Sequence, residues 1–139
     1  MADARTALLK AVPLFAHCTP TQLEFIATQV EDMDFPAGKV LCEEGQSGGD
    51  FFVIITGAAA VTRGAKKISN MAAGDFFGEI ALVDGGKRTA TVTTTAASRC
   101  LVLGPRQFQN VLHQNTDIAH SVMKALTLRV REAGAAKAD

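Results

Sequence analysis

A chain of 139 residues with fourteen Lys and Arg against fourteen Asp and Glu has room for one domain and carries no global field to draw it to nucleic acid or anionic lipid. Eight Phe without Trp or Tyr leave little for a stacking platform on single strands, and the cysteines Cys18, Cys42 and Cys100 lack the C-x-x-C pairing of a zinc or redox site. Buried thiols in a reducing cytosol suit them better than a disulfide framework, and the lack of a long apolar run or of a signal-peptide pattern makes the expected location cytoplasmic, off the membrane.

In chain order, Ala4 to Val12 has a short helical pattern that Pro13 interrupts. Thr19-Pro20-Thr21-Gln22 then reads as a capping box with proline at the first helical position, and Leu23, Ile26, Ala27 and Val30 form one apolar face. Beyond Glu31 short apolar runs alternate with turn residues. Val40-Leu41-Cys42, Phe51 to Ile55, Ala59 to Thr62, Thr91 to Thr95 and Cys100 to Leu103 predict strands, with Arg63-Gly64-Ala65-Lys66 as a hairpin tip and Lys66-Lys67 solvated there. Helix returns at Pro105, with Phe108, Val111 and Leu112 on one face. Asn115-Thr116-Asp117 ends it and caps a last helix carrying Ile118, Val122, Met123, Leu126 and Val130, which is expected to stop near Gly134. Met123 and Leu126 suit either a core or a seam for a partner helix. The fold class is therefore mainly β within α+β: a small antiparallel barrel or jelly roll (31–104) flanked by N-terminal helices (1–30) and C-terminal helices (105–134), with a tail at 135–139.

Chemistry concentrates in one stretch, Gly74-Asp75-Phe76-Phe77-Gly78-Glu79-Ile80-Ala81-Leu82, followed by Arg88-Thr89-Ala90-Thr91-Val92. Glycine lets backbone approach an anion, Ile80-Ala81-Leu82 can open a short helix with free N–H groups, and Arg88 supplies fixed positive charge. Glu79 would repel a phosphate but suits a sugar hydroxyl. The bland alternative is an internal Glu79–Arg88 ion pair that stabilises a loop.

These residues, with turn glycines at 38, 45, 57 and 74, resemble the phosphate-binding cassette of the cyclic nucleotide-binding domain family, and the likeness spans nearly the whole chain. The resemblance implies a jelly roll in which Arg88 holds the cyclic phosphate with N–H groups near Gly78, Ile80, Ala81 and Ala90, while Glu79 binds the ribose. Val61 and Phe77 would line the base and sugar. Thr89 follows the arginine at a position compatible with either purine. Arg129 on the last helix would either stack on the base as part of a lid or complement the helix C-terminus. Lys87 departs from the family, in which proline often precedes the arginine.

The implied function is a non-enzymatic sensor of cyclic AMP, with cyclic GMP as the other candidate, whose C-terminal helices shift about a hinge near Phe108. It would need no cofactor or metal beyond that ligand, and its protein effector is unknown. The chain could be a stand-alone sensor, the cytosolic domain of a cyclic-nucleotide-gated channel, or the regulatory half of a transcription factor. A short final helix would favour a monomer. A cupin-type barrel enzyme is the alternative of another class, but it needs an H-x-H pair, and His17, His113 and His120 stand apart.

Overall fold

The computed structural model describes residues 4–138, without the side chains of Arg129 and of residues 133–138. The chain forms two compact units, one from the residues before Val30 together with those after Phe108, the other from Val30–Phe108.

The first unit is helical. Helix α1 (Ala4–Lys10) leads through a 3-10 turn (Pro13–Phe15) to α2 (Pro20–Ala27). The capping box is formed as expected: Thr19 Oγ1 accepts from the Gln22 N–H at 3.2 Å, and the Thr19 N–H donates to Gln22 Oε1 at 3.0 Å. Leu23, Ile26 and Ala27 are buried. Later in the chain come α4 (Pro105–Gln114), whose end belongs to this unit, and α5 (Thr116–Ala138). Asn115 Oδ1 caps α5, accepting from the N–H groups of Asp117 at 3.1 Å and Ile118 at 3.2 Å.

Two expectations about α5 need correction. The helix does not stop near Gly134 but continues to Ala138, because alanines at 133, 135, 136 and 138 offset the cost of one glycine, about 1 kcal/mol. Its 23 residues extend for about 35 Å, so the short last helix that would favour a monomer is absent. Its buried seam is Ile118, Val122 and Ala125, whereas Met123 and Val130 are 56% and 71% exposed. Met123 is therefore not core.

The second unit is a sandwich of two four-stranded antiparallel sheets. Its strands are β1 (Glu31–Phe35), β2 (Val40–Cys42), β3 (Phe51–Thr56), β4 (Ala58–Arg63), β5 (Lys66–Ala72), β6 (Phe76–Phe77), β7 (Thr91–Thr94) and β8 (Ser98–Leu103), with helix α3 (Glu79–Asp84) between β6 and β7. One sheet has the order β1-β8-β3-β6, the other β2-β7-β4-β5. The sheets do not close into a barrel; β1 and β6 edge one sheet, β2 and β5 the other. The jelly-roll reading holds, and the barrel does not.

Between the sheets a core of Phe52, Ile54, Phe77, Cys100 and Val102 from one side meets Cys42, Ala59 and Val92 from the other. Phe52 and Phe77, opposite one another in the β3–β6 register, stack with ring centroids 4.9 Å apart. That pairing fixes where β6 ends and therefore where the Gly78 turn begins. Lys66 and Lys67 are not at the hairpin tip: they pair with Arg63 and Thr62 as the first residues of β5, leaving Gly64-Ala65 as the turn.

Candidate functional site

The site grows from two main-chain constraints. On one side, β6 pairs with β3 and delivers Gly78 to the start of α3. On the other, β7 pairs with β4 (Val61↔Val92, Thr62↔Thr91), so the residues just before β7 run beside the end of β4. The loop before β3 then clamps the approach to β7: Arg88 N–H donates to the Gln46 carbonyl at 2.8 Å, Gly45 N–H to the Arg88 carbonyl at 2.9 Å, and Gly48 N–H to the Gly86 carbonyl at 2.8 Å. Arg88 is thus fixed at its backbone before its side chain does anything.

The side chain runs inward and is only 8% exposed. Its guanidinium donates through Nη2 to the main-chain carbonyl of Asp50. Two glycines make room for it. Gly78 has φ +90°, and a Cβ there would stand 2.5 Å from Arg88 Nη1 and 2.7 Å from the Asp50 carbonyl oxygen. At Gly49, φ +100°, a Cβ would stand 2.9 Å from Arg88 Nη2. Both positions require a left-handed backbone that side-chain-bearing residues adopt at a cost, and both border the guanidinium. Gly78 belongs to the predicted set, whereas Gly49 appears in the sequence only as a turn residue.

A cavity of about 590 Å³ opens beside this arginine. It is lined by nine of the residues singled out in the sequence: Val61, Phe77, Gly78, Glu79, Ile80, Ala81, Arg88, Thr89 and Ala90. The tenth, Arg129, has a side chain outside the described residues. Glu79 is 8% exposed at the first position of α3, and the N–H groups of Glu79, Ile80 and Ala81 precede the first intrahelical bond, from Leu82 N–H to the Gly78 carbonyl at 3.1 Å. One wall therefore holds a buried carboxylate, first-turn N–H donors and a buried guanidinium.

Several lining residues are missing from the sequence-based set. Ile68 and Met71 come from β5, Cys42 from β2, and Arg63 from the end of β4. Arg63 was legible in principle, because a strand alternates faces and Arg63 stands two residues after Val61. Burial pushes the Cys42 thiol above its ordinary range, with Arg88 opposing in part, so this thiol is a neutral wall group at physiological pH. Among the described residues no group of three or more His, Cys, Asp and Glu could hold a metal ion, and no helix is long and apolar enough to cross a membrane.

This donor set fits a small ligand with one anionic group and a vicinal hydroxyl. Arg88 offers a fixed charge with planar donors, the α3 turn offers N–H groups, and Glu79 offers acceptor oxygens.

Comparison with known proteins agrees with that chemistry. The profile of the cyclic nucleotide-binding domain family matches residues 32–115. The chain is 34% identical to a cAMP-dependent protein kinase regulatory subunit of Hypocrea atroviridis over 104 residues, covering 75% of this chain and 22% of that protein. It is 33% identical to a cyclic nucleotide-gated potassium channel of Rhizobium etli, covering 84% of this chain and 33% of that protein. Among solved structures, the N-terminal domain of a transcriptional regulator from Streptomyces coelicolor superimposes with a TM-score of 0.85 at 25% identity, covering 93% of both chains. The chain thus spans a third or less of the length of these two sequence relatives.

Proposed function

The chain belongs to the cyclic nucleotide-binding domain family, and from that premise we propose that it is a non-enzymatic sensor module whose ligand is a purine 3′,5′-cyclic mononucleotide, cyclic AMP or cyclic GMP. The observation that carries this is Arg88: a residue only 8% exposed, its guanidinium held by a backbone carbonyl, lining a cavity that also holds buried Glu79. A cyclic phosphate brings one negative charge to that arginine, and the ribose 2′-hydroxyl supplies the donor that Glu79 accepts. A 5′-nucleotide would bring more charge and a free 3′-hydroxyl. In this reading Gly78, Ile80, Ala81 and Ala90 present main-chain donors to the phosphate, Val61 and Phe77 border base and sugar, and Thr89 lies beside them.

The regulatory output is a population shift of α4 and α5. The boundary between the two units falls at Phe108, within α4, which supports a hinge there. Ligand binding then biases whatever protein the module serves, an effector or the remainder of a channel or regulator in the cytoplasm.

A thermal-shift series with cyclic AMP, cyclic GMP and 5′-AMP tests the reading. At a ligand concentration 100 times its dissociation constant, a cyclic nucleotide adds about 2.7 kcal/mol of stability. No shift with either cyclic nucleotide overturns the sensor. An equal shift with 5′-AMP overturns the requirement for a cyclic phosphate.

A further inference from the structure

Besides Arg88, the cavity is lined by two further cations, Arg63 and Lys87, and of these Arg63 stands on the strand that also carries Val61. Arg63 closes β4 and lines the same cavity as Val61, two residues earlier on the same strand. Side chains at that spacing share a face and stand about 7 Å apart along the strand. Val61, with Ile68 and Met71 of β5, contributes apolar lining to the same cavity. An apolar strip of that size with one cation at its end suits a flat heterocycle with acceptors on one edge.

Arg63 is also positioned. Its Nε donates to the Thr89 carbonyl at 3.0 Å, so the guanidinium is tied to the segment that directly follows Arg88. The hairpin under it is pinned by a second bond, from the Gly64 N–H to Glu44 Oε1 at 2.8 Å. Glu44 is thereby engaged with the main chain, and among the described residues Arg63 forms no ion pair. With Nε occupied, the two terminal amino groups remain as a pair of coplanar donors.

The geometry points to Arg63 as a base-selecting residue that admits cyclic GMP to this pocket by donating to O6 and N7 of guanine. This inference rests on the cyclic nucleotide reading and deepens it. The single negative charge of the ligand is taken by Arg88, so Arg63 meets the neutral base. Guanine presents two adjacent acceptors, O6 and N7, that match a planar donor pair, while adenine presents N7 beside an amino group that is itself a donor. Cyclic AMP gains little from Arg63, and cyclic GMP gains a bidentate contact. The position is specific to the fork: lysine would keep the charge and lose the second donor in plane.

Calorimetric titration of cyclic AMP, cyclic GMP and cyclic IMP into the wild type, Arg63→Met, Arg63→Lys and Arg88→Met tests this. Cyclic IMP keeps O6 and N7 but lacks the guanine amino group, so it separates Arg63 from any contact of the Thr89 hydroxyl. The expected result is a rise in the cyclic GMP to cyclic AMP dissociation-constant ratio of about 5- to 100-fold in Arg63→Met, the same direction for cyclic IMP, and a similar loss in Arg63→Lys. An unchanged ratio, whether both ligands weaken together or neither does, overturns the assignment. If Arg88→Met abolishes binding while the ratio ignores Arg63, the sensor stands and this inference falls. If the wild type binds none of the three, the sensor reading falls and takes this inference with it.

Discussion

Two arginines of the sandwich unit show how differently one side chain is used. Arg99, on β8, donates through Nε to Asp32 Oδ1 at 2.6 Å, with side chains 55% and 34% exposed. The Asp32 hydrogen bond and charge raise its pKa, and nothing more is asked of it. Arg88 is 8% exposed, and its guanidinium is seated on a main-chain carbonyl, with the loop before β3 clamping its backbone. A carbonyl orients a cation without neutralising it. An exposed pair in water contributes little and is screened by salt, whereas a buried charge beside a cavity keeps its attraction for an anion.

The largest test of that contrast is Arg88→Met. Removing the charge weakens cyclic nucleotide binding by about 2–5 kcal/mol, roughly 30- to 5,000-fold, as measured by calorimetry. Next comes Gly78→Ala, which places a methyl group against both Arg88 and the Asp50 carbonyl at φ +90°. The strained backbone alone costs about 1–3 kcal/mol, visible in urea unfolding, and the displaced guanidinium weakens binding as well. Gly49→Ala, at φ +100°, carries the same backbone strain but presses on Arg88 alone, so stability falls by that backbone cost and affinity falls with the displaced guanidinium.

Glu79→Gln keeps shape and removes charge from the acceptor proposed to face the sugar. Hydrogen bonds to charged groups exceed neutral ones by about 1 kcal/mol, so affinity falls roughly fivefold to tenfold, with the melting temperature of the free protein read in parallel. A separate test, of the fold rather than of the ligand, falls on the thiols. Burial, and secondarily Asp32, pushes Cys100 from its ordinary 9.0 to about 11. The folded state thus holds a proton that the unfolded state releases first, so this contribution is complete below pH 9 and is lost as pH rises from about 9 to about 11. Native protein at pH 8 should resist alkylation at Cys100 and react fully in urea, and urea midpoints should fall between pH 9 and 11.

What could be read beforehand followed local physics. The capping box at Thr19, the cap at Asn115 and the buried run Phe51 to Ile54 each carry their signal in a few adjacent residues, and each is present in the structure. Strands β1 and β5 carried no such signal. Both lie at sheet edges, and their residues, among them Glu31, Asp32, Asp34, Lys66 and Lys67, face solvent almost throughout, so no hydrophobic alternation marks them. The cassette was legible because glycine, carboxylate and arginine stand in one short stretch. Ile68 and Met71 were not, because strand pairing, rather than sequence proximity, brings β5 to the cavity, and Arg63 could be inferred only from sharing a strand face with Val61.

The contrast between the two arginines can be measured in one experiment: the dissociation constant for cyclic AMP in Arg88→Met and in Arg99→Met, each against the wild type. A buried, ligand-directed Arg88 predicts a loss of at least about 30-fold in the first and no measurable change in the second. Equal affinities in all three proteins would contradict it, because Arg88 would then be, like Arg99, only part of the scaffold.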